Sequence, residues 1–372
     1  MPTITPIQLL VIQPTSFCNL DCSYCYLPDR GNRAMMSAQT LAAIGHTTVG
    51  SHLFNDETTL VWHAGEPCVL PPDWYRNAID ILEQNAGRKI PRQALQTNAT
   101  LLSDDWIEFI KQADISVGVS LDGPEWINDA RRVTRGGAGT FKRAQEGMEK
   151  LRAAQIPFHI IAVVTADALA HPVEFAHALA DTGAYSIGLN IEEIDGTNTR
   201  SSLFDASPED RYGAFLSQFM DGIERLDTPP KLREYDRFLA ALKNGTRTTR
   251  HMENVPGAIV SVGRDGALTT FSPELLGTSS DRYNDFVFGN VHDLSDVARM
   301  FLNSNYLKAL VDVHSGVTKC RKSCRYFGVC GGGSPSNKLG ENGVFDSTET
   351  AFCRLSVKAT FDAMLARTGV LV

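Results

Sequence analysis

Three thiols, Cys18, Cys22 and Cys25, stand within eight residues directly after the apolar run Leu9-Leu10-Val11-Ile12. Thiolates at i, i+4 and i+7 can fold around one compact inorganic centre, and three of them can hold three irons of a cubane while leaving the fourth open. An open iron is a reactive position, because a small molecule with an amine and a carboxylate can chelate it and be reduced there. Zinc commonly takes four closed ligands as two separated pairs, and no fourth Cys or His lies close to this trio in the sequence. Cys320, Cys324, Cys330 and Cys353 supply enough thiolates to saturate a second cubane, with a structural zinc as the rival. Cys68 reads as a packed thiol.

Composition narrows the setting. A chain of 372 residues with 43% apolar side chains can bury a full core and hold one large domain plus a smaller one. A formal net charge of −8 without any basic run argues against nucleic acid as a partner, since nothing is there to displace phosphate counterions. No apolar stretch reaches membrane-spanning length, and Met1-Pro2-Thr3-Ile4-Thr5 lacks a signal peptide's charged start, so a cytoplasmic location away from membranes is expected. Eight cysteines in such a setting favour metal over disulfides.

The thiols need a scaffold. From Leu9 to about Glu193, β-rich runs alternate with amphipathic helical runs, the pattern of parallel βα units. Strands are expected at Leu9 to Thr15, Thr59 to Ala64, Gln93 to Asn98, Ile115 to Leu121, Phe158 to Thr165 and Ser186 to Ile191. Between them fall helices such as Ser37 to Ser51, Asp73 to Gln84, Ser103 to Lys111, Thr140 to Ala154 and Pro172 to Asp181. Six units are too few for a closed eight-strand barrel, so the fold class is α/β, a partial (β/α)6 TIM-type barrel. In such folds chemistry collects at the carboxyl edge of the sheet. Cys18 to Cys25, His63 to Pro67, Thr97-Asn98, Ser120 to Pro124 and Asn190 to Asp195 all follow strands on that edge. Glu192, Glu193 and Asp195 could bind substrate or take a proton, which needs a raised pKa in a dry pocket; a solvated loop is the plain alternative.

Ser207 is a plausible N-cap for a helix to Leu226, and Leu232 to Lys243 reads as another helix. Ala258 to Val262 and Ala267 to Phe271 read as a hairpin turned at Asp265-Gly266. The expected divisions are residues 1–230 for the partial barrel, 231–255 for a helical bridge and 256–372 for a cysteine-bearing extension.

Cys18, Cys22 and Cys25, followed by Tyr26, resemble the CxxxCxxC signature of radical S-adenosylmethionine (SAM) enzymes. Gly65-Glu66-Pro67 resembles that superfamily's GGEP motif, with Ala64 in place of its first glycine; a glycine admits close backbone approach, and a carboxylate suits the ammonium of a bound methionine moiety. Ser120-Leu121-Asp122-Gly123-Pro124 with Arg132 resembles a segment of radical enzymes that modify peptides and sulfatases. The resemblance implies SAM contacts at Ser120 and Arg132, with Arg131 and Arg135 as neighbouring alternatives to the latter. It also implies that Tyr24 lies near the adenine, and that Asn98 and Leu189 line the same site. His63 reads as a packed or hydrogen-bonded core histidine.

The last four cysteines resemble the SPASM extension, in which seven cysteines commonly help bind two auxiliary clusters. This chain departs from it: the first pair is CxxxC, Ser334 stands where a further cysteine would follow Cys330, and no cysteine occurs from Pro256 to Lys319. The resemblance therefore implies two 4Fe-4S clusters in total. The stretch Leu10 to Pro28, with Trp62 to Pro67 and Ile191-Glu192-Glu193, resembles the cyclophane-forming peptide maturases of the GrrM/OscB group. That likeness implies a ribosomal precursor peptide in which an aromatic ring carbon is joined to the β-carbon of a residue two positions later. It implies SAM as cofactor, an electron donor such as flavodoxin or ferredoxin, and the auxiliary cluster as electron acceptor. The rival functions are thioether formation, oxidation of a sulfatase Ser or Cys, and a non-catalytic iron-sulfur electron carrier. Only eight residues precede the first strand, so the precursor is expected to dock on the barrel or its extension.

Overall fold

The computed structural model describes residues 4–204, 207–243, 248 and 250–369. β-branched, buried runs form the sheet. β1 (Leu9–Ile12), β2 (Thr59–Trp62), β3 (Gln93–Thr97), β4 (Ile115–Ser120), β5 (Phe158–Val164) and β6 (Ser186–Ile191) lie side by side in chain order, all parallel. The six expected strands are all present. β3, β4 and β5 end one residue short of the expected position, and β1 and β2 end shorter still: the chain leaves the ladder at Ile12 and at Trp62, and the freed residues turn toward the cysteine loop.

The sheet is longer than expected. β7 (Lys231–Leu232) pairs parallel with β6 at one edge. At the other, β8 (Ile259–Val262) lies parallel to β1, and β9 (Ala267–Thr270) and β10 (Gly289–Asn290) follow antiparallel. The hairpin at Asp265-Gly266 is therefore real, and it is laid onto the main sheet, giving ten strands among the described residues. The order is linear, so the sheet stays open, and its edges are two-residue strands that leave little backbone unpaired.

Helices cover the sheet: α1 (Ala38–Ile44), α2 (Pro72–Ala86), α3 (Asp104–Gln112), α4 (Glu125–Arg131), α5 (Phe141–Ala153), α6 (Ala166–Ala170) and α7 (Pro172–Ala180). The Ser103 hydroxyl accepts from the Trp106 N–H at 3.3 Å, with Asp104 and Asp105 in the first turn favouring the positive helix end. The helix expected over Ser37 to Ser51 is α1 followed by a π-turn, Gly45–Val49. A Cβ at Gly45 would lie 2.6 Å from Leu82 O, so this glycine lets α1 press against α2. Trp62, Tyr75, Trp106 and Phe109 interlock beneath β2 and β3, each burial stabilising by about 2–3 kcal/mol.

After β6 come α8 (Pro208–Glu224), α9 (Arg233–Lys243), α10 (Ser304–Ser323), α11 (Phe327–Cys330), α12 (Pro335–Asn342) and α13 (Thr360–Thr368). Ser207 does not cap α8: its backbone is left-handed and its side chain makes no capping bond, so Pro208, with φ preset for a helix, opens α8 instead. The expected bridge over 231–255 is β7, α9 and a turn at Met252–Asn254, while residues 244–247 and 249 lie outside the described residues. Among the described residues no helix is long and apolar enough to cross a membrane.

Candidate functional site

The cysteine loop is strapped down from three sides. Asp21 N–H donates to Val133 O at 2.7 Å and Ser23 N–H to Arg131 O at 3.0 Å, tying the loop to the end of α4. Asn98 Nδ2 donates to Asn19 Oδ1 at 3.0 Å, tying it to the end of β3. Thr197 donates from its N–H to Tyr26 O at 2.9 Å and from its hydroxyl to Cys25 O at 3.0 Å, tying it to the loop after β6. All three thiols are half-buried and free. Burial pushes Cys18 up to about 12, helped by the nearby Glu66 carboxylate, and burial also raises Cys22 against the pull of Arg132. Thiols held this way become anions when a cation sits among them, which is what iron supplies. Among the described residues no three His, Cys, Asp or Glu converge on a single metal ion. A cubane does not ask for that convergence, since each thiolate takes a different iron.

Of the three neighbouring arginines, only Arg132 is buried beside the loop. Its Nη1 donates to the Tyr24 hydroxyl at 2.7 Å and lies 3.8 Å from Asp122, whose other oxygen accepts the Val163 N–H at 2.9 Å. The Tyr24 hydroxyl donates to Asp122, closing a triangle. Arg131 turns to Asp167 at 3.4 Å, and Arg135 donates to Cys18 O at 2.8 Å while covering Phe17. Arg132 is thus a fixed cation next to Cys22, suited to a carboxylate ligand. Asp122, fully buried, is the anchor the sequence pattern displayed without revealing its role.

Glu66 is 2% exposed, not solvated. Its carboxylate accepts from Thr97 Oγ1 at 2.6 Å, Asn98 N at 2.8 Å and Cys68 N at 2.9 Å; burial raises its pKa and these bonds oppose the rise. Gly65 is left-handed (φ +83°), and a Cβ there would stand 2.5 Å from Thr15 O. Its close approach is to the backbone leading into Cys18, so the turn positions the thiols. Ala64 adopts φ +67° where a glycine would be unstrained. Ser120 ends β4 and accepts from Gln96 Nε2 at 2.9 Å, and Leu189 is buried within β6. His63 hydrogen-bonds the Tyr26 hydroxyl at 3.3 Å, and Cys68 is buried against Thr97.

The three acids after β6 are not a solvated loop, and they part company. Glu192 accepts the Ser202 N–H at 2.6 Å and also its hydroxyl, which makes it a loop anchor. Glu193 accepts from Asn337 Nδ2 at 2.6 Å, and burial pushes it up to about 8. Asp195 is 5% exposed and pushed up to about 6, chiefly by burial. Two further carboxylates join them that sequence spacing did not single out: Glu253, and Glu274, which burial and the other acids raise well above the usual carboxylate range.

Cys320, Cys324, Cys330 and Cys353, brought from the end of α10, from α11 and from the turn before α13, line one cavity. Lys338, 4% exposed, points Nζ at Cys320 Sγ from 3.6 Å. Gly331, Gly332 and Gly333 are all left-handed, and the N–H groups of the last two hydrogen-bond Cys330, opposing the rise that burial causes. Burial raises Cys330 and Cys353, and the N–H donors at Cys330 oppose that rise. Ser334 donates to Glu253 and lies 3.2 Å from Ser272 and 2.9 Å from Ser336, so a hydroxyl network fills the position where a further cysteine was missing.

A family model described as the radical SAM superfamily matches residues 12–195. The chain is 37% identical over 366 residues to an uncharacterized protein of Synechocystis sp., covering 97% of this chain and 92% of that one. It is 24% identical over 361 residues to a serine-type anaerobic sulfatase-maturating enzyme of Bacteroides thetaiotaomicron, covering 91% and 84%. Its fold is similar to native anSMEcpe with bound AdoMet and Cp18Cys peptide, at a TM-score of 0.74 and 22% identity over 96% and 97% of the two chains.

Proposed function

The chain belongs to the radical SAM superfamily, an enzyme family, and from that premise we propose that it matures a ribosomally made peptide by joining an aromatic ring carbon to the β-carbon of a residue two positions later. The observation that carries the reading is the joint tethering of the cysteine loop to Arg132 on one side and to the carboxylate loop at Cys25-Tyr26 on the other. Cys18, Cys22 and Cys25 would hold a 4Fe-4S cluster, which with SAM would supply the radical chemistry that takes an unactivated hydrogen. The residues of the chain do the rest. Arg132, oriented by Tyr24 and Asp122, holds the methionyl carboxylate. Ser120, Asn98 and Leu189 line the cofactor site, and Glu66 fixes the edge from which Asn98 acts. Glu193 or Asp195 accepts the proton lost when the ring regains aromaticity, a task their raised affinity for protons fits. Cys320, Cys324, Cys330 and Cys353 would hold a second 4Fe-4S cluster in a SPASM-like extension spanning 256–372, which would serve as a sink for the electron the product gives up. Flavodoxin or ferredoxin is the expected donor.

The sulfatase-maturating relatives favour a second reading, oxidation of a Ser or Cys to formylglycine. Co-expression with the small peptide encoded beside the gene, followed by tandem mass spectrometry, separates the two. A crosslink removes two hydrogens, blocks fragmentation within a three-residue segment and ignores hydrazides. Formylglycine fragments normally and is captured by a hydrazide. Absence of any modified peptide, under conditions where SAM is cleaved, sinks both.

A further inference from the structure

One proton acceptor would serve the reaction, yet several carboxylates are gathered beside Cys25 and Tyr26. Glu193 and Asp195 come from the loop after β6, Glu253 from the turn at Met252–Asn254 and Glu274 from the turn at Pro273–Leu275. After burial, the strongest influences on Glu274 are Glu253 and Asp195, and Tyr26 lies in the field of Glu274, Asp195 and Glu193. Glu341 of α12 adds to the same field. Arg237 of α9 approaches from the side of Glu253.

Most of these acids have partners. Asn337 serves Glu193, and Ser272 and Ser334 serve Glu253. Asp195 is the exception: Oδ1 accepts the Gly196 N–H at 2.8 Å, while Oδ2, sealed from solvent, has no hydrogen-bond partner. The Ser336 hydroxyl hydrogen-bonds the carboxylate and opposes the rise that burial causes, yet Oδ2 itself stays unpaired. A buried acceptor left unpaired among like charges is costly until a donor, best a cationic one, arrives.

We infer that this group of carboxylates is a subsite for a cationic side chain of the peptide, a lysine ammonium or an arginine guanidinium, seated against Asp195 Oδ2 and flanked by Glu193 and Glu274. The inference rests on the peptide-modifying reading above and names what that peptide must carry. The cation supplies the donor that Oδ2 lacks, and a neutral residue would leave it unpaired. Thr197 fixes the Asp195 turn to Cys25 and Tyr26, so a side chain anchored here holds its neighbours in the sequence beside the cysteine loop.

The test uses n-butylammonium and n-propylguanidinium, with n-pentanol as the uncharged control, bound to the anaerobically reconstituted holoenzyme with SAM and followed by ligand-observed NMR. Saturable binding of the cations, roughly tenfold or more tighter than the alcohol, is expected. Asp195→Asn should remove most of that preference. Should Asp195→Asn fail to assemble, as iron content and melting would reveal, Glu274→Gln carries the same expectation. Cations and alcohol binding alike, or a preference that survives the substitution, overturns the subsite. Co-expression mass spectrometry judges the peptide reading separately: modified peptide without cation preference removes the subsite alone, and cation preference without modified peptide removes the reaction.

Discussion

The two cysteine sites are delivered in opposite ways. At the N-terminal site one loop carries all three thiols and other elements reach in to hold it, with bonds from the ends of β3, α4 and β6. At the C-terminal site four thiols from three segments converge on a closed cavity with their own donors, Lys338 and the glycine N–H groups. On the proposed function the first arrangement would leave one face of a cluster free for a ligand that Arg132 can orient. The second uses every thiol and offers no such face. On the function proposed above, a site for chemistry would be held from outside and a site for storing charge enclosed.

Removing one thiol from each site is the harshest test of that contrast. Cys22→Ala should abolish SAM cleavage, a loss of about 10⁶-fold or more, because the radical has no uncatalysed source. Cys330→Ala should keep SAM cleavage, lose peptide product and retain about four of about eight irons. Equal loss of SAM cleavage in both variants would mean that the sites are not functionally separate. Next in size is Arg132→Met, expected to weaken SAM binding by about 2–4 kcal/mol, roughly 30-fold or more, measured by calorimetry. Tyr24→Phe, which keeps the cation and loses one of its props, should cost about 1 kcal/mol. Lys338→Met addresses the enclosed site alone. Loss of a buried cation disfavours the reduced state, so the potential of the C-terminal centre should fall by about 60 mV, the one-electron equivalent of about 1.4 kcal/mol, in a spectroscopic redox titration. The N-terminal potential should not move.

How much of this was legible follows from the range of the forces involved. The cysteines and the βα alternation are local signals, and all six parallel strands are where periodicity places them. The pairing of β8 with β1 is not local: Leu9 meets Ile259, and no pattern in either segment names the other. The sequence could not choose among Arg131, Arg132 and Arg135, because burial against Tyr24 and Asp122 makes the choice. Three acids within four residues after β6 look alike in sequence, yet Ser202 claims Glu192 while Asp195 is left with an open oxygen. Lys338 carried no signal, since lysine on a helix is ordinarily solvated. Glu274 had a weak one, a Pro-Glu turn directly after the hairpin.

The smallest expected effect probes the space between the two sites. Glu193 is pushed from 4.5 to about 8 in the folded chain, chiefly by burial. Through that window the folded state keeps a proton that the unfolded chain has released, so folding binds protons and stability falls as pH rises from about 4.5 to about 8. Glu193→Gln removes this slope. Its melting temperature should fall less than the wild type's between pH 5 and pH 8, by a few degrees at about 2 °C per kcal/mol for a chain of this size, measured anaerobically in matched ionic strength. Adding n-butylammonium should shrink the wild-type slope, because a bound cation stabilises the ionised carboxylate. If wild type and variant instead run parallel across the window, a neighbour already compensates the charge, with Arg237 the candidate, and these carboxylates have no need of a cation from the peptide.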